Sequence, residues 1–400
     1  MASATIPIAG RVARLKPTAV NSILGEVREA QARGAKLVSL MRGEPDFRTP
    51  QHIVEAASRS LAAGRTSYPD NRGEPRLREA VAEKLRRENG LLYDAASEIL
   101  VTTGATFGIY AALAATVNEG EQVLVPDPVY DAYLSPIRLA EAEPRAVGSK
   151  IENDRFILTR DALERAWTPS CRALLLNTPW NPTGTVLRRE ELETVAEFCL
   201  RRELTLVSDE IYEAITYDPA RHVSPAVLSP ELRQRTILVN SLSKTYAMTG
   251  WRVGYCAAPA DVIRAMFLVL QQSSRGPATF IQDASAEALT GSQDCVAAMR
   301  NEYARRRAQV IEGLRGVPGC RVLAPEGGFF AMVDVCGLGW GSDEIRGRLL
   351  HVHGVVVVHG AAYGPGGEGT LRVSFASGGE TLARGLDSLR RGLSAMGTTA

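Results

Sequence analysis

An α/β fold, with a mostly parallel central sheet covered by helices on both faces and a second, smaller α+β lobe, is what this chain of 400 residues predicts. Three observations lead there. From about residue 98 to 241, short and almost wholly apolar runs alternate with longer helical stretches, the pattern of strands buried on both faces between crossover helices. A second group of strand-like runs, mixed with helices, follows from about residue 321. Hydrophobic residues at 45% and charged residues at 23% describe an ordinary globular chain with a sizeable core.

After an amino-terminal arm, helical patterns cover roughly 51–63 and 74–90, the second with Pro75 in its first turn and Gly90 at its end. Strands are expected at EILVTT (98–103), EQVLVP (121–126), RALLLNTP (172–179), LTLVSDE (204–210) and TILVNS (236–241), with helices near 106–117, 128–140 and 189–202. VGYCAA (253–258) is expected to add an antiparallel strand. A long helical region then covers about 260–315, and RVLA, FFAMVDV, GVVVVH and TLRVSFA read as strands of the smaller lobe, with one helix among them and one at the end. No repeat, low-complexity tract or long Gly/Ser linker interrupts the chain.

Composition excludes several classes of function. With 46 basic and 45 acidic residues the net charge is +1, so no global field draws nucleic acid or an acidic membrane. The six cysteines are scattered without CxxC or metal-ligand spacing and read as free thiols of a reducing compartment. No run of about 18 apolar residues occurs, and MASATIPIAGRVARLKP is too polar for a secretory signal, so the expected location is cytoplasmic. The five histidines offer no metal set; His351 and His353, spaced i, i+2, read as packing residues, and no metal is expected.

Chemistry-bearing residues cluster just after the predicted strands. NSLSKTYAMTGWRVGY (240–255) sets Lys244 at the carboxyl end of a buried strand, where open α/β sheets bind ligands, with Ser241, Ser243 and Arg252 nearby to cradle a phosphate. TTGATFGIYAAL turns at Gly104 and aims the amides of Gly104, Ala105 and Thr106 at an anion site on a helix amino terminus. LLLNTPWNPTG holds Asn181 in a tight turn, and LTLVSDEIY ends a strand on Asp209 with Tyr212 three residues on. A carboxylate there can pair with a pyridinium nitrogen. Arg372, on the predicted strand TLRVSFA, suits a bidentate grip on a carboxylate. Each has a plainer reading taken singly: a solvated lysine, a turn glycine, a turn asparagine, a helix-capping aspartate, a surface arginine.

Together, the order GEPDF, YPDNRGEPRLREA, TTGAT, PVYDAY, NPTG, SDEIY, SLSK, WRVGY and LRVSFA, over nearly the whole chain, resembles the class I aminotransferases, specifically the aspartate aminotransferase-like branch. The resemblance implies a fold type I enzyme dependent on pyridoxal 5'-phosphate. It also implies a small domain built from both chain ends: an arm and first segment over 1–48, a large cofactor-binding domain over 49–290, and a carboxyl-terminal domain over 291–400. Lys244 would form the internal aldimine and act as general base in a ping-pong transamination. Asp209 would pair with the ring nitrogen, and Asn181 and Tyr212 with the ring hydroxyl. Gly104, Ala105, Thr106, Ser241, Ser243 and Arg252 would hold the phosphate, and Tyr130 would stack on the ring, where relatives commonly carry tryptophan. Arg372, Asn181 and the backbone of Gly43 would hold the substrate carboxylate. Tyr68 would reach the cofactor of a partner subunit, which implies a homodimer with shared sites.

Substrate choice stays open at this level. Thr106 stands where relatives that prefer acidic substrates often carry a lysine. Arg42, Arg48 or Arg275 could supply a cation for a distal carboxylate, whereas Trp180 and Tyr363 could line a pocket for neutral or aromatic side chains. The same lysine chemistry also serves lyases and decarboxylases. A cofactor-sensing DNA regulator would need a basic helix-turn-helix segment, for which the arm before residue 40 is too short.

Overall fold

The computed structural model describes Ile6 and residues 8–397. Residues 1–5 and Pro7 of the expected arm, and 398–400 of the expected carboxyl-terminal domain, lie outside the described residues. In chain order the strands are β1 (Val38–Ser39), β2 (Ile99–Thr102), β3 (Gln122–Asp127), β4 (Glu143–Gly148), β5 (Lys150–Glu152), β6 (Arg155–Ile157), β7 (Cys171–Asn177) and β8 (Thr205–Asp209). They continue with β9 (Thr236–Ser241), β10 (Gly254–Ala257), β11 (Arg321–Leu323), β12 (Phe330–Asp334), β13 (Val355–Val356), β14 (Val358–His359) and β15 (Thr370–Ser374).

The central sheet has seven strands in the order β2-β10-β9-β8-β7-β3-β4. Only β10 runs against the others, pairing antiparallel with both β2 and β9. Its strands are apolar on both sides because both faces are covered. Val123, Val125, Leu175 and Val207 pack with Ile109 and Ala112 of the helix Ala105–Thr116. Leu124, Leu174, Leu176 and Leu206 face the other way, against Leu192, Val195 and Phe198 of the helix Arg189–Arg201. That is why period-2 alternation is missing from these strands.

The smaller lobe holds the antiparallel sheet β11-β12-β15-β14. It is built from both chain ends. β1 pairs parallel with β13, the Leu40 amide donates to the Val356 carbonyl at 2.8 Å, and the Ser374 amide donates to the Leu40 carbonyl at 2.7 Å. Ile23, Val27 and Met41 share a core with Leu350, Val356 and Val358.

Several elements differ from the sequence reading. β4 was not anticipated: EPRAVG carries a proline and buries only Val147 at the sheet edge, so it has almost no apolar signature. The expected helix over 128–140 contracts to Leu134–Leu139 behind a 3₁₀ turn at Asp131–Tyr133. The long helical region divides into Ala260–Ser273, Thr279–Thr290 and Asp294–Gly313. The first break is a left-handed pair, Arg275 and Gly276, followed by Pro277. GVVVVH splits at Val357 into β13 and β14, which join different sheets.

Candidate active site

The carboxyl ends of β2, β3, β7, β8 and β9 open on one cavity of about 960 Å³, closed on its other side by residues from the smaller lobe and from the first 44 residues. This is where an open α/β sheet binds its ligand. Ala105, Thr106, Tyr130, Asn181, Asp209, Tyr212, Ser241, Ser243, Lys244, Arg252, Arg372 and Gly43 all line it.

One end is an anion cradle. Gly104 turns the chain from β2 into the helix Ala105–Thr116 with φ of +85°, and a Cβ there would stand 2.6 Å from Arg252 Nη2. Only glycine admits both the backbone angle and the guanidinium. Gly254, on β10, lets the same turn approach closely, since a Cβ there would lie 2.8 Å from the Ala105 amide nitrogen. Arg252 is itself left-handed at φ of +54° and donates to the Thr249 carbonyl at 3.0 Å. The Ser241 and Ser243 hydroxyls are 2.7 Å apart, and Ser241 Oγ accepts the Ser243 amide at 3.0 Å. The amides of Ala105 and Thr106, two hydroxyls and a guanidinium form a donor set suited to phosphate, whereas the Gly104 amide, expected to join them, donates to the Thr102 carbonyl at 2.8 Å, and Gly104 does not line the cavity.

Lys244 follows on the short helix Leu242–Thr245 and donates from Nζ to the Gly43 carbonyl at 2.7 Å. Burial, helped by the positive charge of Arg252 and opposed by Glu44, lowers its pKa to about 8. Asp209, at the end of β8, is buried and shifts the opposite way, raised to about 6 by burial. The Tyr133 hydroxyl, donating to Asp209 Oδ2 at 2.5 Å, and the Ile211 amide, donating to Oδ1 at 3.1 Å, limit that rise. Tyr212 is buried edge-on to Phe329 and Phe330, and Tyr130 lies edge-on to Tyr133.

At the opposite end Arg372 is 2% exposed and has no carboxylate partner among the described residues. Its Nη1 donates to Asn181 Oδ1 at 3.2 Å and its Nη2 to the Met41 carbonyl at 3.3 Å, while Nε is buried without a partner. Phe330 and Tyr363 flank the guanidinium, 4.3 and 5.0 Å from ring centre to Cζ. A buried cation held by carbonyls and rings alone calls for an anion from outside.

Tyr68 is not brought to this cavity: it is 86% exposed, with the Arg275 guanidinium 5.9 Å from its ring centre. Arg48 and Arg275 do not line the cavity; Arg42 does, but it is paired with Glu44 at 3.3 Å. Trp180 and Tyr363 are core residues and not cavity wall, Trp180 donating from Nε1 to the Pro128 carbonyl at 2.9 Å. Among the residues that escaped the sequence reading are Tyr133 and Asn177. Tyr133 holds Asp209, and its signal was the second tyrosine of PVYDAY. Asn177 donates to the Asp209 carbonyl at 2.9 Å and accepts the Asn181 amide at 2.8 Å, locking two site residues together. Nothing local in LLLNTP marks that role.

An amine with a lowered pKa, a sealed carboxylate, a phosphate-type cradle and a buried guanidinium at the mouth of an α/β sheet define a class of enzyme that works on amino or carbonyl compounds through an anionic cofactor. Comparison with known proteins narrows the class. Residues 35–389 match the family described as aminotransferase class I and II, and the chain belongs to it. It is 36% identical over 389 residues to an aspartate aminotransferase of Bacillus sp. (strain YM-2), covering 96% of this chain and 98% of that one. It is 40% identical over 357 residues to aromatic-amino-acid aminotransferase 2 of Thermococcus litoralis, covering 89% and 91%. The solved aspartate aminotransferase of Rhizobium meliloti superposes with a TM-score of 0.93 at 34% identity, covering 97% of this chain and 99% of that one. The fold is therefore fold type I, and the protein is a pyridoxal-phosphate-dependent aminotransferase of the aspartate aminotransferase type. Its residues fit that cofactor in kind: the space a Cβ at Gly104 would fill is kept for Arg252, the donors around it suit a phosphate, and the buried Asp209 carboxylate suits a cationic ring nitrogen.

Proposed function

We propose that the enzyme moves an amino group between an L-amino acid and a 2-oxo acid by a ping-pong mechanism, with Lys244 as its covalent and proton-transferring centre. The observation that carries this reading is the meeting of Lys244, Asp209 and Arg372 on one cavity. When bound, pyridoxal phosphate supplies an aldehyde that takes the Lys244 amine covalently and a ring that accepts the electron pair released at the substrate α-carbon. Ala105, Thr106, Ser241, Ser243 and Arg252 would hold its phosphate, with Gly104 shaping the turn that presents the first two. Asp209 would pair with its ring nitrogen, Asn181 and Tyr212 with its ring hydroxyl, and Tyr130 would cover its face. Asp209 would do this as a carboxylate, a form that a positive charge on the ring nitrogen would favour.

Arg372, with Asn181 and the backbone of Gly43, grips the α-carboxylate and so fixes the α-carbon against Lys244. Lys244 Nζ, lining the same cavity as Arg372, would take the α-proton and hold it for return, a positioned transfer contributing roughly 10² to 10⁴ in rate. Tyr68 would complete the site of a second copy, which makes the working form a homodimer; its exposure and its absence from the lining of this chain's own cavity support that reading. We further propose residues 49–290 as the cofactor-binding domain, with 1–48 and 291–400 forming the other, and a cytoplasmic location.

The test is a single-turnover reaction of the cofactor-loaded enzyme with an L-amino acid. The bound cofactor should pass from its aldehyde to its amine form, read by absorbance, with one equivalent of 2-oxo acid released. Release of ammonia or carbon dioxide instead would assign a lyase or a decarboxylase.

A further inference from the structure

We infer that Asp131 sets substrate specificity, turning the side-chain half of the cavity against amino acids with a distal carboxylate and toward those with an uncharged side chain. This rests on the aminotransferase reading above. It begins from the charges on the cavity wall. The lining cations are Arg42, Lys244, Arg252 and Arg372, and the lining carboxylates are Glu44, Asp131 and Asp209. All but one have a partner within the site or a task in it. Arg42 is paired with Glu44, whose other oxygen accepts from Thr249 Oγ1 at 2.9 Å. Arg252 faces the cofactor phosphate, Lys244 and Asp209 face the cofactor itself, and Arg372 faces the substrate α-carboxylate.

Asp131 is the charge left over. It sits on the 3₁₀ turn directly after Tyr130, between the cofactor-facing wall and the amino-terminal segment. Its Oδ2 accepts the Ala19 amide at 2.7 Å, at the start of the helix Ala19–Ala32, and its Oδ1 is buried without a partner. No basic side chain of the described residues forms an ion pair with it. Burial raises its pKa, while the Ala19 amide and the positive charge of Arg372 work against that rise. The Ala19 amide and the Arg372 guanidinium both favour the carboxylate form of Asp131. On this inference the distal end of the substrate lies against Asp131, which lines the same cavity as the apolar Val20, Leu24 and Ile109. A second carboxylate gains no free cation there and is repelled by Asp131; an amide or apolar end is not.

Isosteric pairs isolate the charge. The rate constant over half-saturation of the single-turnover half-reaction is measured for L-aspartate against L-asparagine and for L-glutamate against L-glutamine. The wild-type enzyme should favour the neutral member by roughly tenfold or more, about 1.4 kcal/mol per tenfold. Asp131→Asn keeps an oxygen for the Ala19 amide and removes the charge; it should raise the values for aspartate and glutamate about tenfold and leave the neutral donors nearly unchanged. Binding gives a second readout: succinate should bind the cofactor-loaded enzyme more weakly than succinamate, and the gap should close in the variant. Equal or better use of the dicarboxylates by the wild type, or a preference unmoved in Asp131→Asn, overturns the inference. If no donor of either kind yields a 2-oxo acid, the aminotransferase reading fails instead.

Discussion

At the scale of single residues, one physical cause acts in opposite directions on the two groups that matter most. Burial disfavours charge, so it lowers Lys244 to about 8 and raises Asp209 to about 6. For Lys244 the sign is that of a cation made less stable by its surroundings, so its free amine appears above pH 8 in place of the usual range near 10.5. The rate of covalent attachment of pyridoxal phosphate to the cofactor-free protein should therefore rise about tenfold per pH unit below 8 and level off above it. Stopped-flow absorbance would show this, and a rise continuing to pH 10 would contradict the shift. Lys244, Asp209, Asn181 and Arg372 were legible in the sequence because each sits in a short motif just after, or on, a strand. Tyr133, Asn177 and Asp131 were not, because what gives each its place is a partner far along the chain: Tyr133 is 76 residues from Asp209, and Asp131 is 112 from Ala19.

Elements place these residues through a few tight turns. The β2-to-helix turn works because Gly104 takes a positive φ and leaves room for Arg252, while Gly254 on the neighbouring β10 lets the turn's backbone come close. Gly104→Ala should cost about 1–3 kcal/mol in backbone strain and push Arg252 aside. Cofactor affinity should fall by roughly tenfold or more, with secondary structure unchanged. Equilibrium titration of pyridoxal phosphate and circular dichroism measure the two, and wild-type affinity would show that the cradle does not depend on this contact. The apolar strands β2, β3, β7, β8 and β9 were visible in sequence because burial on both faces leaves continuous apolar runs. β4 was hidden because an edge strand with a single buried residue has no such run. The breaks near 275 and 291 were lost inside a helical pattern that only the turn at Arg275–Gly276–Pro277 and Gly291 interrupts.

For the whole molecule, the cavity exists because the chain closes on itself: residues near 40 lie along β13 and β15, bringing Gly43 to Lys244 and Met41 to Arg372. Hydrophobic periodicity says nothing about such long-range pairing, and only the motif order implied that both chain ends share a lobe. In the proposed homodimer, Tyr68 would serve the site of a second copy. In mixed dimers of Lys244→Ala and Tyr68→Ala chains, one site would receive its lysine from one chain and an intact tyrosine from the other. Those dimers should recover activity that neither variant shows alone. Activity no higher than that of the Tyr68→Ala homodimer would place Tyr68 in the service of its own chain.

The central claim is that Lys244 carries the cofactor. Borohydride reduction of the pyridoxal-phosphate-loaded enzyme, followed by proteolysis and mass spectrometry, tests it most directly. A single phosphopyridoxyl group is expected on Lys244, within the segment from Ser241 to Arg252; the same group on another lysine, with Lys244 unmodified, would rule out Lys244 as the carrier.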